Sequence, residues 1–464
     1  MTSPDKTGYA RRLGLFDATM LVVGGIIGAG IFLNPAVVAQ RAPTVGLTIG
    51  VWVLGGAVAL AGAFVFAELA ALKPLAGGGY VYLRDALGPL VGFLYGWTQL
   101  LVINSGGIAA VAMTFASYAT DLTGAGPSAI PLLAVGAIAT LSGINLLGIK
   151  SGALVQNILT VLKLAALAAL IFVGLLWTAP DLVSAPSAPP ALSARFVVTA
   201  IGTALIPVLF AYGGWQSTNF VAAEMREPRR DLPRALLIGV GIVVLVYVLA
   251  NIVYVRVLGI PGLAASTAPA SDVMRDLIGE HGATFIALGI AVSTFGFLNL
   301  AILSAPRVYQ AMAADGVFFG GAARLSDRSR VPAVAILIQG GWAAVLVATK
   351  TYGQLLDYVV FGDWIFFAAV GVTLFVYRRR GGGAERAKGA GTADDDTETA
   401  VPPFRRSADG FRCPGYPWVP GFFVVAGVFA VGSTVLSNPL NALIGGGIIA
   451  LGVPAYFWWK RRIS

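Results

Sequence analysis

Residues 24–32 read Gly-Gly-Ile-Ile-Gly-Ala-Gly-Ile-Phe in the middle of an apolar stretch long enough to cross a membrane. Glycine costs a helix about 1 kcal/mol relative to alanine, and Gly24, Gly25, Gly28 and Gly30 fall within seven positions. A helix interrupted in hydrocarbon strands backbone N–H and C=O groups at several kcal/mol each. Such a break therefore persists only where protein or a polar cavity meets it. A second interruption, Ala211-Tyr212-Gly213-Gly214-Trp215, lies in another apolar stretch. Paired interruptions of this kind point to a solute site near the membrane midplane.

Of the 464 residues, 57% are hydrophobic and 11% charged. A soluble domain carries about 25% charged residues, so a large soluble protein is excluded. Apolar stretches of 18 or more residues recur along the chain. Twelve spans are expected, at about 15–39, 46–72, 87–119, 128–147, 153–177, 196–223, 233–257, 283–313, 332–349, 354–377, 419–437 and 439–459. The first is too long, and too interrupted by glycine, to read as a cleaved leader. The net charge of +9 suggests nucleic acid, but its distribution argues otherwise. With the N-terminus in the cytoplasm, 25 Lys and Arg fall inside and 5 outside, and Lys163 sits within a span. That asymmetry is the positive-inside pattern. The even count places both termini in the cytoplasm of a multi-pass protein of the bacterial inner (plasma) membrane. His281 and Cys413 are the single histidine and cysteine. No metal site, histidine-based triad or intramolecular disulfide is expected, hence no enzyme and no cofactor.

The spans group as five, five and two. The expected division is 1–14 as cytoplasmic N-terminus, 15–195 as a first five-helix repeat and 196–379 as a second. Residues 380–417 form a cytoplasmic linker, and 418–464 two further helices and the C-terminus. The interruptions occupy the first member of each five, and an odd number of spans per repeat inverts one against the other. The linker contains Asp394-Asp395-Asp396, and the outward loop 179–195 contains four prolines. Residues 270–278 read as a short amphipathic helix within the outward segment 262–281.

A broken helix exposes N–H groups at one half-helix start and carbonyls at another's end, suited to an anion and a cation respectively. An amino-acid zwitterion has one of each. The carboxylate is placed on the N–H groups of Gly28, Ala29 and Gly30, and the ammonium on carbonyls near Ile26, Phe210, Ala211 and Gly213.

The segment from Phe210 through Ala-Tyr-Gly-Gly-Trp-Gln-Ser-Thr-Asn-Phe-Val-Ala-Ala-Glu224 to Ala235 closely resembles the sixth span and following loop of the L-type amino acid transporters. These belong to the amino acid–polyamine–organocation superfamily. Gly24–Phe32 resembles that family's first-span motif, and Phe66–Pro74 with Gly77-Gly78-Gly79-Tyr80 its second span and loop. The resemblance covers most of the chain. It implies an all-α polytopic protein of twelve transmembrane helices with the LeuT-like, five-plus-five inverted-repeat fold, discontinuous first and sixth helices, and alternating access. Phe210 resembles the aromatic gate over the substrate. Tyr212 and Trp215 flank the unwound segment, Gln216 stands where relatives often carry asparagine, and Trp364 resembles the tryptophan of the tenth span. Asp363 departs from the asparagine expected before that tryptophan, which puts a protonatable group near the pathway. The glutamate of the family's Gly-Gly-Glu-Tyr pattern is missing at Gly78-Gly79-Tyr80.

Lys163, well inside span five, carries a charge that must face a cavity or a partner. Lys150 can snorkel, but Lys163 is about 20 Å farther along a helix. The resemblance puts its ammonium where relatives bind sodium, reaching carbonyls near Gly25 or Ile26 and hydroxyls such as Ser293 or Thr294. Glu68 and Glu224 are expected to pair with Arg226, Arg229, Arg230 or Arg307. Asn104, Ser105, Gly106 and Gly107 interrupt span three, where small residues suit either a wider pocket or close helix packing.

The resulting expectation is sodium-independent exchange of neutral L-amino acids. A proton-coupled amino acid symporter and an amine or polyamine carrier of the same fold are the alternatives. Expected partners are the amino acid and membrane lipid, with no nucleic acid. Loop 120–127 lacks the cysteine that joins larger relatives to a glycoprotein, so no disulfide-linked heavy chain is expected.

Overall fold

The computed structural model describes residues 8–177, 193–349, 352–389, 410–437 and 439–461. The prolines of the 179–195 loop and Asp394-Asp395-Asp396 lie outside the described residues. The described chain is almost entirely helical. Its helices are α1 (Leu15–Ile26), α2 (Gly30–Arg41), α3 (Val45–Leu72), α4 (Gly79–Leu87), α5 (Pro89–Thr98), α6 (Asn104–Thr123), α7 (Ile130–Leu146), α8 (Ile149–Leu176) and α9 (Ala194–Ala211). They continue with α10 (Pro228–Ala265), α11 (Pro269–Ile278), α12 (Glu280–Ser304), α13 (Pro306–Ala314), α14 (Ala333–Ala348), α15 (Tyr352–Gly389), α16 (Trp418–Ser437) and α17 (Pro439–Arg461). A π-helical turn, Gln99–Ile103, joins α5 to α6, and a 3-10 segment, Trp215–Glu224, follows α9.

Local chemistry explains several boundaries. Thr44 caps α3 by accepting from the Leu47 N–H at 3.2 Å, and Ser193 caps α9 through the Phe196 N–H at 3.2 Å. Proline opens α5, α10, α11 and α13, where its missing N–H leaves no bond unmade. Pro207 lies inside α9 and removes the donor that Thr203 O would otherwise receive. Arg41 Nη1 supplies a replacement at 2.7 Å.

Among the described residues, eleven helical segments are long and apolar enough to cross a membrane. The expected ninth span, 332–349, is the 16-residue α14, shorter than those eleven. Its length corresponds to about 24 Å of helix. On α8, Leu154, Ile158, Val161 and Leu162 are about half exposed, whereas Gln156, Thr160 and Lys163 are buried at spacings of four and three. One face of this helix is apolar and open, and the other is polar and enclosed. The amphipathic helix expected near 270–278 is α11, with Val273 and Met274 buried and Arg275 paired to Asp272 at 2.8 Å.

At one end of the bundle, buried charges fix the packing. Arg307 reaches both carboxylate oxygens of Glu224, at 2.7 and 3.2 Å, with both side chains 1% exposed. The Glu224 carbonyl accepts from the N–H groups of Arg12 and Leu13 at 2.8 and 3.0 Å, so residues 12–13 are tied to the same point. Glu68 does not pair with any of the expected arginines. It binds Arg378 at 2.8 and 2.6 Å and the Cys413 N–H at 2.7 Å. Burial, the largest influence on the Cys413 thiol, pushes it up to about 11, so it stays protonated at pH 7.

Removing one partner of a buried pair leaves an uncompensated charge and costs about 3–5 kcal/mol. Arg307→Met alone should therefore lower the melting temperature in detergent more than Arg307→Met combined with Glu224→Gln. Equal melting temperatures for the two variants would show that the charges do not depend on each other.

Candidate functional site

Helix α1 ends at Ile26 and α2 begins at Gly30, while α9 ends at Ala211 and the 3-10 segment begins at Trp215. The two gaps touch. A Cβ added at Gly214, whose φ is 108°, would lie 2.1 Å from Gly25 O, and one added at Gly25 would lie 2.9 Å from Gly214 O. Backbone approaches backbone there with no room for a side chain.

Three side chains from distant helices serve the freed carbonyls. Lys163 of α8 donates to Gly24 O at 3.0 Å, Ile27 O at 2.6 Å and Ser293 O at 3.1 Å. An ammonium has three donors, and each has a carbonyl. Its charge lies at the C-terminal end of α1, the favourable end of that helix dipole. Ser293 of α12 donates its hydroxyl toward Ile27 O and Gly28 O at 3.1 and 3.2 Å. Tyr247 of α10 directs its hydroxyl at Ile26 O and Ala211 O, at 3.0 and 3.2 Å, bridging the two gaps.

These contacts alter the expected partners. Lys163 holds Gly24 and Ile27 rather than Gly25 and Ile26, and it meets Ser293 through the backbone carbonyl. The Thr294 hydroxyl turns back to Ile290 O and Ala291 O on its own helix, each at 2.9 Å. Ile26 O accepts from Tyr247 and also from the Gly28 N–H at 2.9 Å. A carbonyl has two lone pairs, so Ile26 O is engaged twice and the Gly28 N–H is committed. Gly213 donates to Phe210 O at 3.1 Å.

Beside the gaps lies a cavity of about 240 Å3, far larger than the ~10–15 Å3 that admits one water. Gly28, Ala29, Gly30, Phe210, Ala211, Gly213 and Gln216 line it, as do Gly25 and Ile26. Phe210 is 38% exposed, and Trp364 and Asp363 complete part of the wall. Gln216 Oε1 accepts from the Gly214 N–H at 2.9 Å, so this side chain caps the gap as well as facing the cavity. Asn104 and Gly107, from the interruption in span three, also line the cavity, and the π-helical turn ends immediately before Asn104.

Tyr212 and Trp215 do not line this cavity. Tyr212 is buried against Trp52 and Tyr247, with ring centroids at 5.9 and 5.0 Å. Trp215 packs on Phe66 at 4.8 Å and Phe367 at 5.6 Å. They flank the gap as wedges behind it. Tyr247, Gln156 and Asn299 are part of the site's support and were not anticipated. Asn299 Nδ2 contacts Gln156 Oε1 and Gly152 O, each at 3.0 Å, and Thr160 donates to Met20 O at 3.2 Å. The spacing of Gln156, Thr160 and Lys163 carried the signal for that polar face.

Comparison with known proteins gives a consistent result. The family model described as amino acid permease matches residues 13–451. The chain is 29% identical over 461 residues to the serine/threonine exchanger SteT of Bacillus subtilis, covering 99% of each chain. It is 32% identical over 380 residues to the human b(0,+)-type amino acid transporter 1, covering 81% of this chain and 77% of the relative. It is 29% identical over 469 residues to the mouse large neutral amino acids transporter small subunit 2, covering 97% and 82%.

Tyr247→Phe removes the bridging hydroxyl and leaves the ring. The expected loss is about 1 kcal/mol of stability, with faster hydrogen exchange confined to amides near 26–30 and 211–216. Uniform exchange across the protein would show that the hydroxyl does not hold the gaps together.

Proposed function

The chain belongs to the amino acid permease family, and on that premise we propose that it is a sodium-independent exchanger of neutral L-amino acids working by alternating access. It is an amino acid transporter of the membrane, built from many transmembrane helices. Its relatives include an exchanger of serine and threonine and a transporter subunit for large neutral amino acids.

In this reading the substrate carboxylate meets the N–H groups of Ala29 and Gly30, and its ammonium meets the carbonyls of Ala211 and Gly213. Those groups sit at the ends of α2 and α9, where the dipoles have the matching signs. Phe210 and Trp364 close over the substrate, with Tyr212, Trp215 and Gln216 shaping the gap. The five-plus-five division at 15–195 and 196–379 supplies the two halves that rock against each other. The positive-inside count supports cytoplasmic termini, with 380–417 as a linker on that side, in a bacterial plasma membrane. Lipid surrounds the open faces, and no disulfide-linked heavy chain is required.

The observation that carries the sodium independence is Lys163, whose ammonium is matched by three carbonyls at 2.6–3.1 Å. A resident cation with all its donors engaged does the work of a bound metal cation at the end of α1. Nothing then needs to be recruited from solution.

In proteoliposomes, labelled serine should enter only vesicles preloaded with an amino acid, at the same rate in sodium and in choline buffer. Entry into empty vesicles driven by a pH gradient would replace exchange with proton symport. Lys163→Ala should lower exchange by roughly tenfold or more at normal expression. Wild-type turnover in that variant would remove the role given to the lysine.

A further inference from the structure

Helices α6 and α15 contact each other and build one wall of the cavity, with Asn104, Thr114 and Asp363 on it. The Asn104 amide donates to Gln99 Oε1, and the Thr114 hydroxyl donates to Ala110 O at 3.0 Å. One of the two Asn104 N–H groups and the Thr114 hydroxyl hydrogen are thereby committed within the span. Asp363 Oδ1 is buried and has no hydrogen-bond partner among the described residues. Among the described residues that line the cavity, Asp363 is the one with a formal charge. Lys163 does not line it and is held by three carbonyls.

A charged carboxylate at membrane depth without a partner is costly, and ionisable groups of this kind mark substrate or ion pathways. On the reading above, the interruptions take both charges of the zwitterion. Only the substrate side chain remains to face the wall of α6 and α15. We propose that Asp363 is a specificity-determining residue that pairs with an ammonium on the substrate side chain, so that cationic amino acids of ornithine size are substrates alongside neutral ones. Exchange of such a substrate for a neutral one moves one net charge across the membrane, which neutral-for-neutral exchange does not.

This assignment rests on the amino acid reading of the cavity, and a matched pair of ligands tests it separately. L-Ornithine and L-norleucine have side chains of equal length and differ by an ammonium in place of a methyl. Inhibition of labelled serine exchange by each is measured in wild type, Asp363→Asn and Asp363→Glu. Ornithine should be preferred over norleucine by about tenfold or more in wild type. The ratio should collapse toward one in Asp363→Asn and persist in Asp363→Glu. The ratio decides, whatever the variants' absolute rates. If exchange is absent in any protein, the same ratio is read from the rise in melting temperature that each ligand gives the purified chain. A norleucine preference in wild type, or an unchanged ratio in Asp363→Asn, overturns the proposal. Failure of serine exchange in wild type would strike the exchanger reading, with the thermal-shift ratio still deciding the role of Asp363.

Discussion

The structure depends on the requirement that peptide groups freed by a broken helix find partners away from water. Each unmet group costs several kcal/mol in hydrocarbon, whereas a hydrogen bond that is made contributes about 0.5–1.5 kcal/mol net. The asymmetry means that the interruptions exist only because other helices meet them. Lys163, Ser293 and Tyr247 come from α8, α12 and α10, and together they serve the carbonyls of Gly24, Ile26, Ile27, Gly28 and Ala211. The broken span of α1 and α2 by itself lacks all three donors. The site is a property of the assembled bundle, although its most visible residues are glycines of a single span.

Much of this was legible in the chain, and what was missed has a physical pattern. The glycine interruptions and Lys163 stand out because each is expensive in an apolar helix. Gln156, Thr160 and Lys163 share a face by spacing alone. Tyr247 gave no such signal, since an aromatic in an apolar helix reads as packing until its hydroxyl partners are known, and these lie 221 and 36 residues away. Ser293 and Thr294 are both hydroxyl candidates in the sequence, yet adjacent helical residues point about 100° apart. One therefore faces the gap, and the other bonds its own helix. The same rotation gives Gly24 O to Lys163 and turns Gly25 toward Gly214.

The ion pairs at the Glu224 end divide by burial. Arg307 and Glu224 are fully enclosed, and the backbone of residues 12–13 hangs from the same glutamate. Lys73 and Arg84 pair with Asp85 at 3.1 and 2.8 Å, and each of these side chains is more than a fifth exposed. These partly exposed pairs keep access to water, unlike Arg307 and Glu224. Charge counting assigns basic residues to this end as a group. It did not select Arg378 for Glu68, because those residues are 310 apart in sequence and meet only after packing.

Saturation separates Lys163 from Asp363. Lys163 has three donors and three acceptors, all backbone, and therefore has no hydrogen-bonding capacity left for a visitor. Its charge is part of the frame, as a structural ion would be. Asp363 is the reverse case: a cavity-lining carboxylate with an oxygen that no described residue serves. A group that costs free energy while the cavity holds no counter-charge recovers it when a ligand provides one, and that difference is a source of selectivity. The two charges thus divide the work. Lys163, whose bonds are complete, holds the broken helix in shape, and Asp363, whose Oδ1 no described residue serves, faces the cavity.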